Sequence, residues 1–243
     1  MNAATSQPTN PPKPAFTYVI VHGAWGGGWA FKEVDHLLTA DGNTVYRPTL
    51  TGQGERVHLS TPDIDLNTHI TDIVNVILFE NLHNIVLVGH SYGGMVITGV
   101  ADRVPDRIAH LVYVDAFLPE NGESANTMRR PGATTKQFHP ETNGYLIPEW
   151  LKPNTPLPHD VPMPAKTFSQ PISLSNPAAL KIPTTYILTV DPGKQPEDDT
   201  FYYSYERAKS RGYRTLIMEG DHNVQWSHPK ELVHLLEEAP LHD

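Results

Sequence analysis

Four consecutive apolar residues, Ile85-Val86-Leu87-Val88, run straight into Gly89-His90-Ser91-Tyr92-Gly93, and apolar residues at helical spacing follow from Met95. An unbroken apolar run of that length reads as a strand buried on both faces, which requires a sheet covered on both sides. The chain must then turn from strand to helix within a few residues, and glycines at 89 and 93 let the two backbones approach closely. Gly-x-Ser-x-Gly between a strand and a helix puts Ser91 on a strained turn at a helix N-terminus. Backbone N–H groups and the helix dipole there favour a developing negative charge. The plainer alternative is a serine completing an ordinary turn.

The rest of the chain repeats the alternation. Tyr18-Val19-Ile20-Val21 reads as a strand entering the glycine-rich loop Gly23, Gly26, Gly27, Gly28, and residues 29–38 carry helical spacing. Residues 44–47 read as a second strand, and Ile70, Ile73, Val74 and Ile77 form a helical stripe. Leu111-Val112-Tyr113-Val114 is a strand ending at Asp115; residues 185–190 form another ending at Asp191, and residues 215–218 the last. A final helix opens at Pro229, a residue suited to a first turn. Strands alternating with helices predict an α/β fold: a mostly parallel sheet with helices on both faces.

Residues 119–183 interrupt this rhythm with prolines and scattered bulky side chains, Phe138, Tyr145, Trp150 and Phe168. An insertion with its own apolar residues predicts a small lid over a pocket; an irregular surface loop is the alternative. Residues 1–15 are polar and proline-rich, without a basic start and apolar centre, and read as a disordered leader to a domain over 16–243. That pattern favours the cytoplasm. The chain has 243 residues, a net charge of −9 and no cysteine. The acidic balance and the lack of any Lys/Arg-rich run argue against a nucleic-acid partner. No apolar stretch is long enough to span a bilayer. Thiolate chemistry and disulfides are excluded.

A serine hydroxyl needs an adjacent base to attack anything near neutral pH. His222, in Glu219-Gly220-Asp221-His222 after the last strand, suits that role in the chain order serine, acid, histidine. His228 abuts Pro229 and is better placed to flank the last helix. Two strand ends offer the acid that orients the imidazole. Asp115 precedes the apolar Ala116-Phe117-Leu118, a sheltered setting; Asp191 precedes Pro192-Gly193 and the acidic Glu197, Asp198, Asp199, a solvated one. Asp115 is preferred, with Asp191 the alternative. The N–H of Tyr92, directly after Ser91, is one expected donor to an oxyanion.

The segment Val21-His22-Gly23-Ala24-Trp25-Gly26-Gly27-Gly28-Trp29 resembles the His-Gly-Ala oxyanion loop of small α/β-hydrolases. Together with residues 88–94, 111–119 and 220–222, it is similar to the plant methyl-esterase and hydroxynitrile-lyase group and to related bacterial esterases, including pyrethroid-type carboxylesterases. The resemblance implies an α/β-hydrolase fold and hydrolysis of a carboxylic ester, or a lactone, through an acyl-enzyme on Ser91. It maps the second oxyanion donor onto the N–H of Ala24 and implies a small-molecule ester as the partner, with no cofactor. Two departures stand out. The plant enzymes carry their acid after the strand matching 185–190, where the spacing around Asp191 differs from theirs, whereas a fungal lactonase group takes it from the strand before the lid, where Asp115 stands. The lyases place a lysine after the histidine, and here that residue is Asn223.

Trp25, Trp29, Phe117 and Leu118 are the expected substrate-binding side chains, core packing being the competing explanation. His58, His69, His83 and His139 lack any metal-ligating spacing, so no metal is expected. Two other classes stay open: a lyase using the same Ser/His pair without acylation, and a ligand-binding protein on the same fold.

Overall fold

Along Thr17–Val21 (β1) the buried side chains alternate between two cores, Val19 and Val21 facing one and Tyr18 and Ile20 the other. A strand apolar on both faces belongs in the interior of a sheet sandwiched between helices. The computed structural model describes residues 14–128 and 141–241. In chain order the strands continue as β2 (Thr44–Tyr46), β3 (Ile85–His90), β4 (Ile108–Val114), three short strands β5 (Glu141–Thr142), β6 (Tyr145–Leu146) and β7 (Met163–Pro164), then β8 (Thr184–Val190) and β9 (Arg214–Glu219). β5, β6 and β7 pair antiparallel in a small sheet of their own. The other six form one parallel sheet in the order β2-β1-β3-β4-β8-β9.

The helices are α1 (Lys32–Ala40), α2 (Leu66–Phe79), α3 (Gly93–Arg103), the one-turn α4 (Lys166–Ser169), α5 (Tyr202–Ser210), the one-turn α6 (Val224–Ser227) and α7 (Pro229–Glu238). α2 buries Leu66, Ile70, Ile73 and Ile77 with α3 on the face shared by Val19 and Leu87. The Asp65 carboxylate caps α2 by accepting the Thr68 N–H at 2.8 Å. α1 and α7 cover the opposite face through Val34, Leu38, Leu232 and Leu236.

β1 leads to β2 on one side and is paired with β3 on the other, so the strand order reverses beside β1. A crevice opens outside the carboxyl ends of the strands at such a switch point, the usual ligand position in open α/β sheets. The loops after β1, β3 and β4 all leave from this end, and the sheet's last strand, β9, delivers His222 three residues beyond it.

The α/β-hydrolase architecture expected from the sequence is present, with small shifts at element ends. The helix expected over 29–38 opens as a 3-10 turn, Gly28–Phe31, before α1. α5 was not anticipated: Tyr202, Tyr203 and Tyr205 obscure any apolar stripe, and only Ser204, Arg207 and Ala208 of it are buried. The insertion stands between β4 and β8 and is tied to the loop after β1: the Trp25 indole N–H donates to the Leu146 carbonyl at 3.0 Å, and the Val161 N–H to the Trp25 carbonyl at 2.8 Å. Phe138, His139 and residues 1–13 of the expected leader lie outside the described residues. Among the described residues no helix is long and apolar enough to cross a membrane.

Candidate active site

The turn after β3 holds Ser91 at φ +54°, a left-handed conformation that costs a non-glycine residue about 1–3 kcal/mol. Two close approaches dictate its glycines. A Cβ on Gly93 would lie 2.5 Å from the Val21 carbonyl oxygen, and one on Gly89 would lie 2.8 Å from that of Gly93. Both contacts are with backbone, so neither can be relieved by a side-chain rotation. The Ser91 N–H donates to the Val114 carbonyl at 3.2 Å, and its own carbonyl accepts the Phe117 N–H at 3.1 Å, which ties the turn to the segment after β4.

His222 Nε2 lies 3.0 Å from Ser91 Oγ, and His222 Nδ1 lies 2.5 Å from Asp115 Oδ2. The carboxylate can only accept, so Nδ1 carries the hydrogen and Nε2 is left as the acceptor facing the hydroxyl. Asp115 is fully buried at φ +44°, and its other oxygen accepts the Thr189 N–H at 3.2 Å. Asp191 is elsewhere: its carboxylate pairs with Lys194 Nζ at 2.5 Å and is about two-fifths exposed. Of the two strand-end aspartates, Asp115 is the one brought to His222.

Burial opposes charging of His222. The hydrogen bond and charge of Asp115, joined by Asp199 and Asp221, outweigh that cost, and His222 titrates above the ordinary histidine value. The Phe201 ring lies flat against the imidazole, with centroids 5.2 Å apart and planes within 8°. The Phe201 N–H donates to Asp199 Oδ1 at 2.6 Å, so Asp199 is anchored beside the pair. Burial and the adjacent Asp115 charge push the Asp199 carboxyl up to about 6. Sequence reasoning missed Asp199 because it closes an acidic run that reads as solvated, and only the turn into α5 brings it inward.

Three other histidines are neutral supports. Burial lowers His22 and His69 to about 4 and His90 to about 3. His22 Nε2 accepts the Leu50 N–H at 3.1 Å, and its Nδ1 bonds the Gly23 carbonyl at 2.7 Å, fixing the loop after β1. His90 Nε2 donates to the His222 carbonyl at 2.7 Å. His69 Nε2 donates to the Thr51 carbonyl, so its Nδ1 accepts the Tyr92 hydroxyl, both at 3.0 Å. Among the described residues no acceptor takes the N–H of Ala24 or of Tyr92, which leaves both available to a ligand.

A cavity of about 360 Å³ opens on Ser91 and His222, walled by Trp25, Phe31, Trp150, Trp226 and Asp160. Of the expected substrate-binding residues, Trp25 lines it. The other three do not. Trp29 stacks against Trp226, centroids 5.7 Å apart, with its indole nitrogen buried. Phe117 and Leu118 pack in the core, Phe117 edge-on to Phe201 with centroids 5.0 Å apart. A larger cavity of about 530 Å³ beside Thr98, Leu111, Tyr113 and Arg211 contains none of these site residues. Among the described residues, no group of three or more His, Asp or Glu side chains could hold a metal ion.

The alpha/beta hydrolase family model matches residues 18–235. The chain is 34% identical over 238 residues to a carbendazim hydrolyzing esterase of Nocardioides sp. (strain SG-4G), covering 90% of this chain and 97% of that protein. It is 37% identical over 116 residues to a pyrethroid hydrolase of Sphingobium wenxiniae, a match spanning 47% of this chain and 40% of that one. Among solved structures, an extracellular alpha/beta-hydrolase from a Paenibacillus species superposes with a TM-score of 0.73 at 24% identity, covering 92% and 98% of the two chains. That last likeness concerns the fold alone. Together with the parallel sheet and the turn bearing Ser91, these matches establish that the chain belongs to the alpha/beta hydrolase family and, within it, to the carboxylic ester hydrolases.

Proposed function

We propose that the chain cleaves a small, largely apolar ester, or a lactone, through an acyl-enzyme on Ser91. The observation that carries this reading is the continuous relay from Ser91 Oγ through His222 to Asp115, with spacings of 3.0 and 2.5 Å. His222 Nε2 takes the Ser91 proton as Oγ attacks the carbonyl carbon. The resulting imidazolium is stabilised by the buried Asp115 carboxylate, which keeps its charge throughout. The free N–H groups of Ala24 and Tyr92 receive the tetrahedral oxyanion, each worth about 2.7–4 kcal/mol to the transition state. His222 then returns the proton to the departing alcohol, and water, deprotonated by the same imidazole, releases the acid. No step draws on a metal or organic cofactor.

The insertion serves as the lid of this site. Its Trp150 and Asp160 complete the cavity wall, and Trp25 fastens it to the loop that carries Ala24. A cavity of about 360 Å³ suits a mono- or bicyclic ester rather than a long acyl chain. The relatives' names supply two further probes, carbendazim and a pyrethroid. The test is a burst assay on p-nitrophenyl esters with native protein and Ser91→Ala. One equivalent of nitrophenol per active site, abolished by the substitution, supports the reading. Turnover that survives the substitution refutes it.

A further inference from the structure

Among the described residues the Asp160 carboxylate is the one acidic side chain in the cavity wall, which is otherwise built of aromatic residues, histidines and the amides Asn223 and Gln225. Trp25, Phe31, Trp150 and Trp226 offer hydrocarbon faces to whatever fills the cavity, whereas Asp160 offers oxygens that can only accept when ionised. One of them is spoken for: Oδ2 accepts the Trp150 indole N–H at 2.7 Å. The other, Oδ1, faces Gly26, where a Cβ would stand 3.8 Å from it, and no donor among the described residues is bonded to it. The carboxylate is also held in place. Its neighbour Val161 donates to the Trp25 carbonyl at 2.8 Å, and the Trp150 ring stands edge-on to Trp25 with centroids 5.4 Å apart.

A carboxylate oxygen at the edge of a cavity is satisfied by water while the cavity is open. A ligand that fills the cavity displaces that water. If the ligand is purely apolar there, the oxygen loses its partner and the complex bears the desolvation cost; if it brings a donor, a charge-assisted hydrogen bond replaces the water. No hydrogen bond to Oδ1 from a cavity side chain is found among the described residues: both ring nitrogens of His22 are engaged, His90 Nε2 is committed to His222, His222 spans Ser91 and Asp115, His159 Nδ1 bonds the Asp160 main-chain carbonyl, and the Gln225 amide donates to Asn223. Burial also raises the Asp160 carboxyl above its ordinary range, against the lowering effects of Trp150 and His159, as expected of an acceptor still short of donors.

We propose that Asp160 is a specificity-determining residue whose Oδ1 accepts a hydrogen bond from a substrate N–H, so that the preferred ester carries an amide, carbamate, ring N–H or ammonium group within the cavity. The proposal rests on the ester-hydrolase reading for its chemistry, but it concerns binding and is tested separately from turnover.

Two pairs of matched esters place the donor on either side of the scissile bond: methyl indole-3-carboxylate against its N-methyl analogue, and 4-acetamidophenyl acetate against 4-acetylphenyl acetate. The native protein is expected to favour the N–H member of at least one pair by roughly tenfold to a hundredfold in kcat/KM. Asp160→Leu and Asp160→Ala should each reduce that ratio to below about twofold, chiefly by loss on the N–H ester. The same pairs are titrated calorimetrically against Ser91→Ala and Ser91→Ala/Asp160→Ala. A native ratio near one for both pairs, or a ratio unchanged by loss of Asp160, overturns the proposal. If no ester is turned over but Ser91→Ala binds the N–H member more tightly in an Asp160-dependent way, the ester-hydrolase reading fails and the Asp160 subsite stands. If neither pair is discriminated in binding, the subsite fails.

Discussion

Replacing Asp115 with asparagine changes one atom in a fully buried group, and the structure dictates which way the new amide faces. Asp115 Oδ1 accepts the Thr189 N–H at 3.2 Å, while Oδ2 takes the His222 Nδ1–H at 2.5 Å. An asparagine oxygen is needed at the Thr189 side, because an NH2 there would oppose a backbone donor. Its NH2 must then face His222 Nδ1 and can be accommodated only if Nδ1 gives up its hydrogen. The imidazole adopts the other tautomer, with a hydrogen on Nε2 pointed at Ser91 Oγ, and the serine has lost its base. The expected fall in kcat is about 10⁴, or about 5 kcal/mol of barrier, as for other triads locked in the wrong tautomer. The fold should survive, since the backbone bond from Asp115 to the Ile187 carbonyl and the Phe201 stack on His222 are untouched. The assay is steady-state hydrolysis of a p-nitrophenyl ester, with Asp191→Asn as comparison. Asp191 makes only a surface pair with Lys194, so that variant should stay within about twofold of native. An Asp115→Asn enzyme keeping a tenth or more of native kcat, or an equal loss in Asp191→Asn, would refute the reasoning.

Asp199→Asn should move the acid limb of kcat/KM to lower pH, because the Asp199 charge helps hold His222 above its ordinary value. The same substitution has a stability signature. The Asp199 carboxyl is raised to about 6 in the folded state, so the native protein loses stability as pH rises from the unfolded carboxylate range through 6. The variant should therefore melt higher than native at pH 7.5 and equally at pH 3.5, and equal melting at both would contradict the assigned environment. His22, His69 and His90 have folded values lowered to about 4, 4 and 3, so falling pH favours the unfolded state from about 6.5 downward. Thermal melts should show steep acid destabilisation between pH 6.5 and 4, up to about 1.4 kcal/mol per pH unit for each histidine; a flat profile would argue that they are not buried neutral. Gly93→Ala places a Cβ 2.5 Å from the Val21 carbonyl oxygen, a backbone contact, and should cost about 1–3 kcal/mol in denaturant unfolding together with most of the activity. Native-like behaviour of that variant would mean that the turn is looser than described.

The parts of this site that were legible in the sequence are those carried by regular elements. An apolar run ending in Gly-His-Ser-Tyr-Gly fixes a strand, a turn and a helix within ten residues, and the position of Ser91 follows from that geometry. Asp115 was distinguishable from Asp191 because the flanking residues report burial: Ala116-Phe117-Leu118 beside one, a proline, a glycine and three acids beside the other. The same cue misled for the cavity wall. Phe117 and Leu118 are apolar and adjacent to the acid, yet their side chains pack in the core, Phe117 against Phe201, and not on the cavity. Trp150 and Asp160 reach the cavity from an insertion with little regular structure, where no periodicity reports which way a side chain faces. Asp199 was hidden for a related reason: it lies in a run of exposed acids and is brought inward at the turn into α5, where the Phe201 N–H holds its carboxylate.

The central claim is that Ser91 becomes acylated and that His222 removes the acyl group. Intact-mass spectrometry of protein quenched within a second of mixing with excess p-nitrophenyl acetate tests this directly, using native protein, Ser91→Ala and His222→Ala. The account predicts a single added acetyl group on the native protein that decays as substrate is exhausted, none on Ser91→Ala, and at most slow, persistent labelling of Ser91 in His222→Ala. Acetylation of Ser91→Ala at the native rate, or native turnover with no adduct on Ser91 under any quench time, would contradict it.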